Sequence, residues 1–331
     1  MKRASSGGAV SRRAMLAAAG CLAAPRFAAA QGEWPNKPVR MVVPYGAGNL
    51  ADHVARVLAE ELQQRWGQRV VADNQPGAGG AIGVQQIARA APDGYTIGLV
   101  AMAALVITPH MTRAPYDPLR DLTPVAGVTV AAGSLTLRSE LGITTLPDFV
   151  TAARARPAGD PFFYYSAGNG TVPHLNFEIL RRTLDFPAQH VPYRTSPAGL
   201  ADLLAGRVQA TMDSFSVVLP AIQAGTLRAV VATPRRRLPE IPNVPSIAEV
   251  APQVEFAHAW QAVLAPAGLP PAITARIAAD TKAALEKPDF ASRMPAGAGL
   301  FEAGPEELAA TMRHDHARFG ALVAELGLRS E

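Results

Sequence analysis

The chain has 331 residues, 49% of them hydrophobic and 18% charged, with a formal net charge of +4. Five of its 31 Lys and Arg fall within the first 26 residues, so the 26 that follow nearly balance 27 Asp and Glu. With that segment set aside, the charge gives no reason to expect nucleic acid or an acidic membrane surface as partner. The one cysteine, Cys21, lies in the same segment, which excludes disulfides and a thiol nucleophile from the rest.

Lys2, Arg3, Arg12, Arg13 and Arg26 surround an Ala-rich apolar stretch from Ala14 to Pro25, and Ala28-Ala29-Ala30 offers signal peptidase a small-residue site. Residues 1–30 therefore read as an export signal, with Gln31 first after cleavage. The run Ser11-Arg12-Arg13-Ala14-Met15-Leu16 resembles a twin-arginine signal. Ala18-Ala19-Gly20-Cys21 has Ala where a lipoprotein site usually carries Leu, so lipidation is not expected. The apolar core falls short of the roughly 20 residues needed to span a bilayer, so a soluble, periplasmic product is expected. About 300 residues remain, more than one hydrophobic core usually serves, and two lobes are the expectation.

Strand-like and helix-like segments then alternate in the manner of parallel α/β sheets. Val39, Met41 and Val43 alternate in a first strand. A helix is predicted from Asp52 to Trp66, with Val54, Val57, Leu58 and Leu62 on one face. A strand from Arg69 to Asp73, a Gly-rich turn, a helix through Ala91 and a strand from Tyr95 to Ala101 complete a βαβαβ unit. A second series begins after Pro124, with a helix over Leu146 to Arg156 and a strand over Phe162 to Ser166. Helices follow at Pro173 to Leu184, Pro197 to Gly206 and Val217 to Gly225, with strands at His190 to Tyr193, Val208 to Asp213 and Leu227 to Thr233. A strand from Phe256 to Leu264 and helices at Pro271 to Glu286 and Pro305 to Leu326 end the chain.

In such sheets ligands sit beyond the carboxyl ends of strands, where unpaired N–H groups point outward from helix starts. Four loops fit: Pro44 to Asp52, Asn74 to Gly80, Ser166 to His174 and Pro192 to Pro197. The run Asn74-Gln75-Pro76-Gly77-Ala78-Gly79-Gly80 lets backbone approach a carboxylate closely, and a tight turn with packing glycines explains it equally well. A dinucleotide motif would need Gly where Ile82 stands. Ser166-Ala167-Gly168-Asn169-Gly170-Thr171 offers two hydroxyls and several amides. A serine-hydrolase elbow there would need Gly in place of Tyr164. Asp52 reads as a helix N-cap. As a ligand-binding residue, it or Asp213 would have to face an ammonium, a water or backbone donors. His314 and His316 flank Asp315 but diverge on a helix, as on a solvated surface. No metal, cofactor or nucleic-acid pattern occurs, and Arg235-Arg236-Arg237 lacks interleaved aromatics.

Taken together, several motifs resemble the substrate-binding receptors of tripartite tricarboxylate transporters, the Bug receptors. They are Trp34-Pro35-Asn36-Lys37-Pro38-Val39-Arg40, Val43-Pro44-Tyr45, Asn74 to Gly80 followed by Gly83, and Ala91-Pro92-Asp93-Gly94-Tyr95-Thr96. Ser166 to Leu175, Val191-Pro192-Tyr193 and Leu264-Ala265-Pro266-Ala267-Gly268 complete the set. The resemblance implies a two-lobed periplasmic binding protein fold of type II, with one lobe from residues 31–130 and 234–331 and the other from 131–233. It implies a monomeric receptor, not an enzyme, that closes on a small carboxylate and hands it to membrane subunits. A periplasmic hydrolase or isomerase, or a ligand-sensing signalling protein, is the alternative on the same fold. Position by position, Tyr45, Gly77, Ala78, Gly79 and Gly80 would contribute from one lobe. Ser166, Gly168, Asn169, Gly170, Thr171 and Asp213 would contribute from the other, and His174 matches the family's His. The chain departs from the pattern at Gly48-Asn49-Leu50-Ala51-Asp52, at Met102-Ala103-Ala104 and at Thr195. The missing hydroxyls at the first two imply a pocket less polar than one for citrate, suited to a monocarboxylate or an aromatic acid.

Overall fold

A computed structural model describes residues 34–157 and 159–328, so the proposed export signal, its cleavage site and Cys21 lie outside the described residues. The chain divides into a first unit, Met1–Asn36, and a compact unit, Lys37–Glu331. Two sheets organise the latter. The first has the order β11-β4-β10-β3-β1-β2, built from β1 (Val39–Val43), β2 (Val70–Asn74), β3 (Thr96–Ala101), β4 (Leu122–Ala131), β10 (Ala259–Pro266) and β11 (Ala298–Leu300). The second has the order β7-β6-β8-β5-β9, from β5 (Ser134–Arg138), β6 (Phe162–Ser166), β7 (Ala188–Pro192), β8 (Ala210–Thr211) and β9 (Leu227–Ala232).

The alternation holds, but the sheets are mixed rather than parallel. β1 is parallel to β2 and β3, whereas β10 runs antiparallel to both β3 and β4. The physical reason is the route of the chain, which leaves the first sheet after β4 and returns to it through β10, so β10 starts at the edge where β3 and β4 end. β4 is ten residues long and was not anticipated, because Pro124 reads as a boundary. Pro124 is tolerated opposite Leu264, where the ladder shifts register. β10 starts at Ala259, not Phe256, and the strand expected over Val208 to Asp213 shrinks to two residues.

Helix α1 (Leu50–Trp66) starts two residues earlier than predicted, and its cap is Asn49, whose Oδ1 accepts from Asp52 N–H at 2.9 Å. It ends at Gly67, whose φ of +63° suits glycine. A 3-10 turn, Ala78–Gly80, leads into α2 (Ala81–Ala88), which stops three residues short of the expected end. Two short helices, α3 (Met102–Val106) and α4 (Thr108–Met111), follow β3. The later helices are α5 (Leu146–Ala155), α6 (Val172–Thr183), α7 (Ser196–Leu204), α8 (Phe215–Gln223), α9 (Ile247–Val250), α10 (Pro271–Leu285), α11 (Pro288–Ser292) and α12 (Pro305–Glu325).

One core cluster joins Val84 and Ile87 of α2, Leu105 and Val106 to Leu308 and Phe319 of α12 across one face of the first sheet. α1 and α10 pack against each other on the other side. A second cluster, around Phe149, Tyr164, Phe177 and Phe186, fills the second sheet. Leu175 of α6 belongs to the first cluster although α6 follows a strand of the second sheet. Asn176 reinforces this seam by exchanging two hydrogen bonds with the Ala257 backbone.

Gly83 shows how closely α2 is pressed to the loops before it. A Cβ there would stand 2.7 Å from Pro44 Cα and 2.8 Å from the Gln75 carbonyl oxygen, both backbone atoms. Gly83→Ala is expected to lower stability by about 1–3 kcal/mol, the usual cost of overpacking. A urea midpoint equal to that of the parent would refute the close approach.

Candidate functional site

The first glycine turn is shaped by torsions that side chains resist. Gly77, Gly79 and Gly80 have φ of +131°, +64° and +97°, and Ala78 sits at +47°. The turn opens a 3-10 helix, whose first N–H groups have no intrahelical acceptor. Tyr45 stands beside it, since a Cβ on Gly80 would lie 3.3 Å from Tyr45 Cε1. Its hydroxyl donates to the Ala101 carbonyl at 3.4 Å, and burial pushes its ionisation far above the usual phenol range.

Asp52 is not the N-cap that the sequence suggests. It occupies the third helical position, buried, with both oxygens engaged. Oδ2 accepts from Gly48 N–H at 2.9 Å, while Oδ1 accepts from Asn74 Nδ2 and meets the Arg56 guanidinium, each at 2.9 Å. Burial alone would raise its pKa. The Arg56 contact, the Gly48 N–H and the Asn74 amide outweigh that and bring it down to about 2. Asp52 thus ties the Pro44–Asp52 loop to the end of β2.

In the second glycine turn the two hydroxyls are already spent. Ser166 Oγ donates to the Gly168 carbonyl at 2.9 Å and accepts from Gly168 N–H at 3.2 Å, and Thr171 Oγ1 donates to the same carbonyl at 2.8 Å. The exposed Asn169 side chain remains free to act, with no hydrogen bond to another described residue.

Behind the turn lies a group the sequence did not disclose. His190 Nε2 sits 2.7 Å from Ser166 Oγ, and because the single Ser166 proton goes to the Gly168 carbonyl, the imidazole supplies the one between them. His174 Nδ1 accepts from Gly170 N–H at 3.0 Å, so its proton is on Nε2. The two rings stack at 3.9 Å, and Tyr164 stacks on His190 at 5.0 Å. Tyr164 donates to Glu178, which is paired with Arg181 at 2.7 Å. His190 could be found only through the parallel register that sets it beside Tyr164.

Asp213 lies where the chain crosses between sheets, its carbonyl accepting from Ser134 N–H. Oδ1 accepts from Ser214 N–H at 2.7 Å, and Oδ2 is buried without a hydrogen-bond partner near the Tyr165 and Ser196 hydroxyls. Burial raises its pKa.

The two turns meet at opposite ends of α4. A Cβ on Gly79 would lie 3.4 Å from Thr108 Oγ1, and one on Gly170 would overlap Met111 Sδ. Thr108 and Met111 are one helical turn apart, so roughly 5–6 Å of helix separates the contacts. His316 is not solvated as expected: it is partly buried and packs its ring 4.2 Å from His110, whereas His314 is exposed and Asp315 is buried. No metal-holding cluster of His, Cys, Asp and Glu occurs among the described residues.

The model of the tripartite tricarboxylate transporter family receptor matches residues 54–328. The chain belongs to that family. BugT of Bordetella pertussis is 33% identical over 299 residues, covering 89% of this chain and 91% of BugT. The periplasmic binding protein BugD superposes with a TM-score of 0.73 at 29% identity, over 90% of this chain and all of BugD. Two Rhodopseudomonas palustris structures are also similar. Rpa4515 with adipate has a TM-score of 0.76 at 29% identity, covering 89% and 99% of the two chains. MatC with bound malate has a TM-score of 0.72 at 28% identity, covering 88% and 100%. The receptor therefore has the two-lobed periplasmic binding fold and is a solute-binding protein, not an enzyme. Membership implies an exported, periplasmic protein, and no helix among the described residues is long and apolar enough to cross a membrane.

Burial, then His174, push the His190 pKa down to about 4, against a smaller pull from Glu178. The unfolded chain binds this proton at about pH 6.5, so the stability His190 contributes is full above that pH and is lost as pH falls towards 4. Urea midpoints of the receptor are expected to drop over that window, and His190→Gln to flatten the drop. Parallel profiles for parent and variant would contradict the assignment.

Proposed function

We propose that the receptor captures a small carboxylate between its lobes by hinge closure and presents the closed form to tripartite tricarboxylate-type membrane subunits. The proposed lobes are residues 31–130 with 234–331, and 131–233, with cleavage of the export signal near Ala30. The approach of both glycine turns to α4 supports this reading, because Gly79 lies beside Thr108 and Gly170 beside Met111, about one helical turn apart. A solute bridging the lobes stabilises closure by its differential affinity for the closed state.

Main-chain amides at Gly77, Ala78 and Gly79 act from one side, with Tyr45 and the Gly80 N–H bond to the Gly77 carbonyl fixing the turn. Asn169 acts from the other, on a turn that Gly168, Gly170 and Thr171 shape, since their own N–H groups donate to Ser166, to His174 and to the Gly168 carbonyl. Ser166, His174 and Asp52 hold the loops in shape, while the unpaired Asp213 Oδ2 is a candidate for a bridging water or a protonated contact with the solute. Adipate and malate, bound by the two R. palustris relatives, are natural first ligands to try. Met102-Ala103-Ala104 at the helix start after β3 brings no hydroxyl, which favours a monocarboxylate or an aromatic acid over citrate.

Thermal shift against a carboxylate panel tests the reading, since a ligand of the folded state raises the melting temperature. A rise with one or more small carboxylates is expected, and none with amines or sugars. Citrate as the tightest ligand in calorimetry would overturn the preference for less polar acids. Asn169→Ala lies on an exposed side chain and is expected to weaken the selected acid about tenfold, the loss of one charge-assisted hydrogen bond, with the melting temperature of the free protein unchanged. Unaltered affinity would remove Asn169 from the site.

A further inference from the structure

A cavity of about 630 Å³ lies away from both glycine turns and shares none of their residues. That volume falls within the range of small-molecule sites. Its apolar side is formed by Trp260, Phe301, Phe256, Val130, Ile247 and Val254. Trp260 and Phe301 stand 6.2 Å apart, and Trp260 Nε1 donates to the buried Asp315 at 2.8 Å, which fixes the indole. One face of α12, with Thr311, His314 and Arg318 at helical spacing, closes the other side.

The charges at the mouth are not all spoken for. Arg235 is exposed and makes no ion pair among the described residues, although Arg237, two positions on, is paired with Glu249. Arg318 donates to the Glu255 backbone carbonyl, not to a carboxylate. Asp315 is already engaged by the indole. His258 stands among these groups: burial lowers its pKa, Asp315 and Glu255 pull it up, and Arg318 and Arg235 push it down.

We infer that this cavity is a second ligand site, for an aromatic monocarboxylate whose ring lies against Trp260 and Phe301 and whose carboxylate faces Arg235 and Arg318. A ring laid against the Trp260–Phe301 pair suits the apolar side, and guanidinium groups suit a planar carboxylate. The walls come from parts of the molecule that hinge closure moves relative to one another. α12 belongs with the first sheet, whereas Ile247, Val254 and Phe256 pack into the core of the second. Thr233, also at the cavity, holds the other crossing strand, its Oγ1 accepting from Gly133 N–H at 2.9 Å. An occupant therefore biases the hinge, and by linkage it alters solute affinity in the cleft by the same factor as the solute alters its own.

The test is calorimetric titration of phenylacetate into the full chain with the tightest non-aromatic acid of the thermal-shift panel held in saturating excess, so that the cleft between the lobes is already filled, and with 2-phenylethylamine as the cationic counterpart. Phenylacetate is expected to bind at least tenfold more tightly than the amine. Arg235→Gln should weaken it about tenfold, and Ala310→Trp, which fills the cavity from an exposed position on α12, should abolish it. Asn169→Ala, in the cleft between the lobes, should leave this binding unchanged. No binding, equal binding of the amine, or binding that survives both cavity substitutions overturns the inference. So does loss of phenylacetate on Asn169→Ala, which would place the acid in the cleft alone.

Discussion

The backbone donors at the two glycine turns point where side chains behind them make them point. Gly168 N–H is fixed by Ser166, Gly170 N–H by His174, Gly48 N–H by Asp52, and the face of Gly80 by Tyr45. A glycine turn unsupported in this way would sample many conformations, because glycine resists few torsions. The side chains that a reading of the loops would assign to the solute are thus largely consumed in setting the main chain, together with the amides that they hold.

This division of labour accounts for the opposite behaviour of the two aspartates. Both are nearly inaccessible to water. Asp52 has a guanidinium, a side-chain amide and a backbone N–H on its two oxygens, which hold it ionised to about pH 2. Asp213 has one backbone donor and an oxygen left over, so burial prevails and its pKa rises. The same carboxyl group is a structural brace in one place and an unsatisfied group beside the crossing strands in the other.

The crossing strands link these local arrangements to the whole receptor. Gly133 exchanges hydrogen bonds with Thr233, and Phe215 N–H donates to the Ala132 carbonyl, so the strand leaving the first sheet is laced to the end of β9 and to the segment after β8. Asp213 lies on one side of this crossing and Thr233, at the cavity, on the other. Both touch Gly133.

Sequence by itself determined the order of elements, the two-lobed class, and the loops that carry the glycines, because periodic hydrophobicity and glycine are local signals. It located β6 to the residue and the long helices to within a few positions. Pro124 concealed β4, since proline reads as a break until a partner strand shows where its missing N–H costs nothing. Asn49 as the cap in place of Asp52, and the bonds of Ser166 and Thr171 to Gly168, escaped the sequence for a related reason: a side chain's partners are chosen by the fold. Only the tertiary structure could pair His190 with Ser166 across two parallel strands, or bring Gly79 and Gly170, 91 positions apart in sequence, to the two ends of one helical turn. Those contacts depend on strand register and on packing between the sheets, and neither is encoded by spacing along one segment.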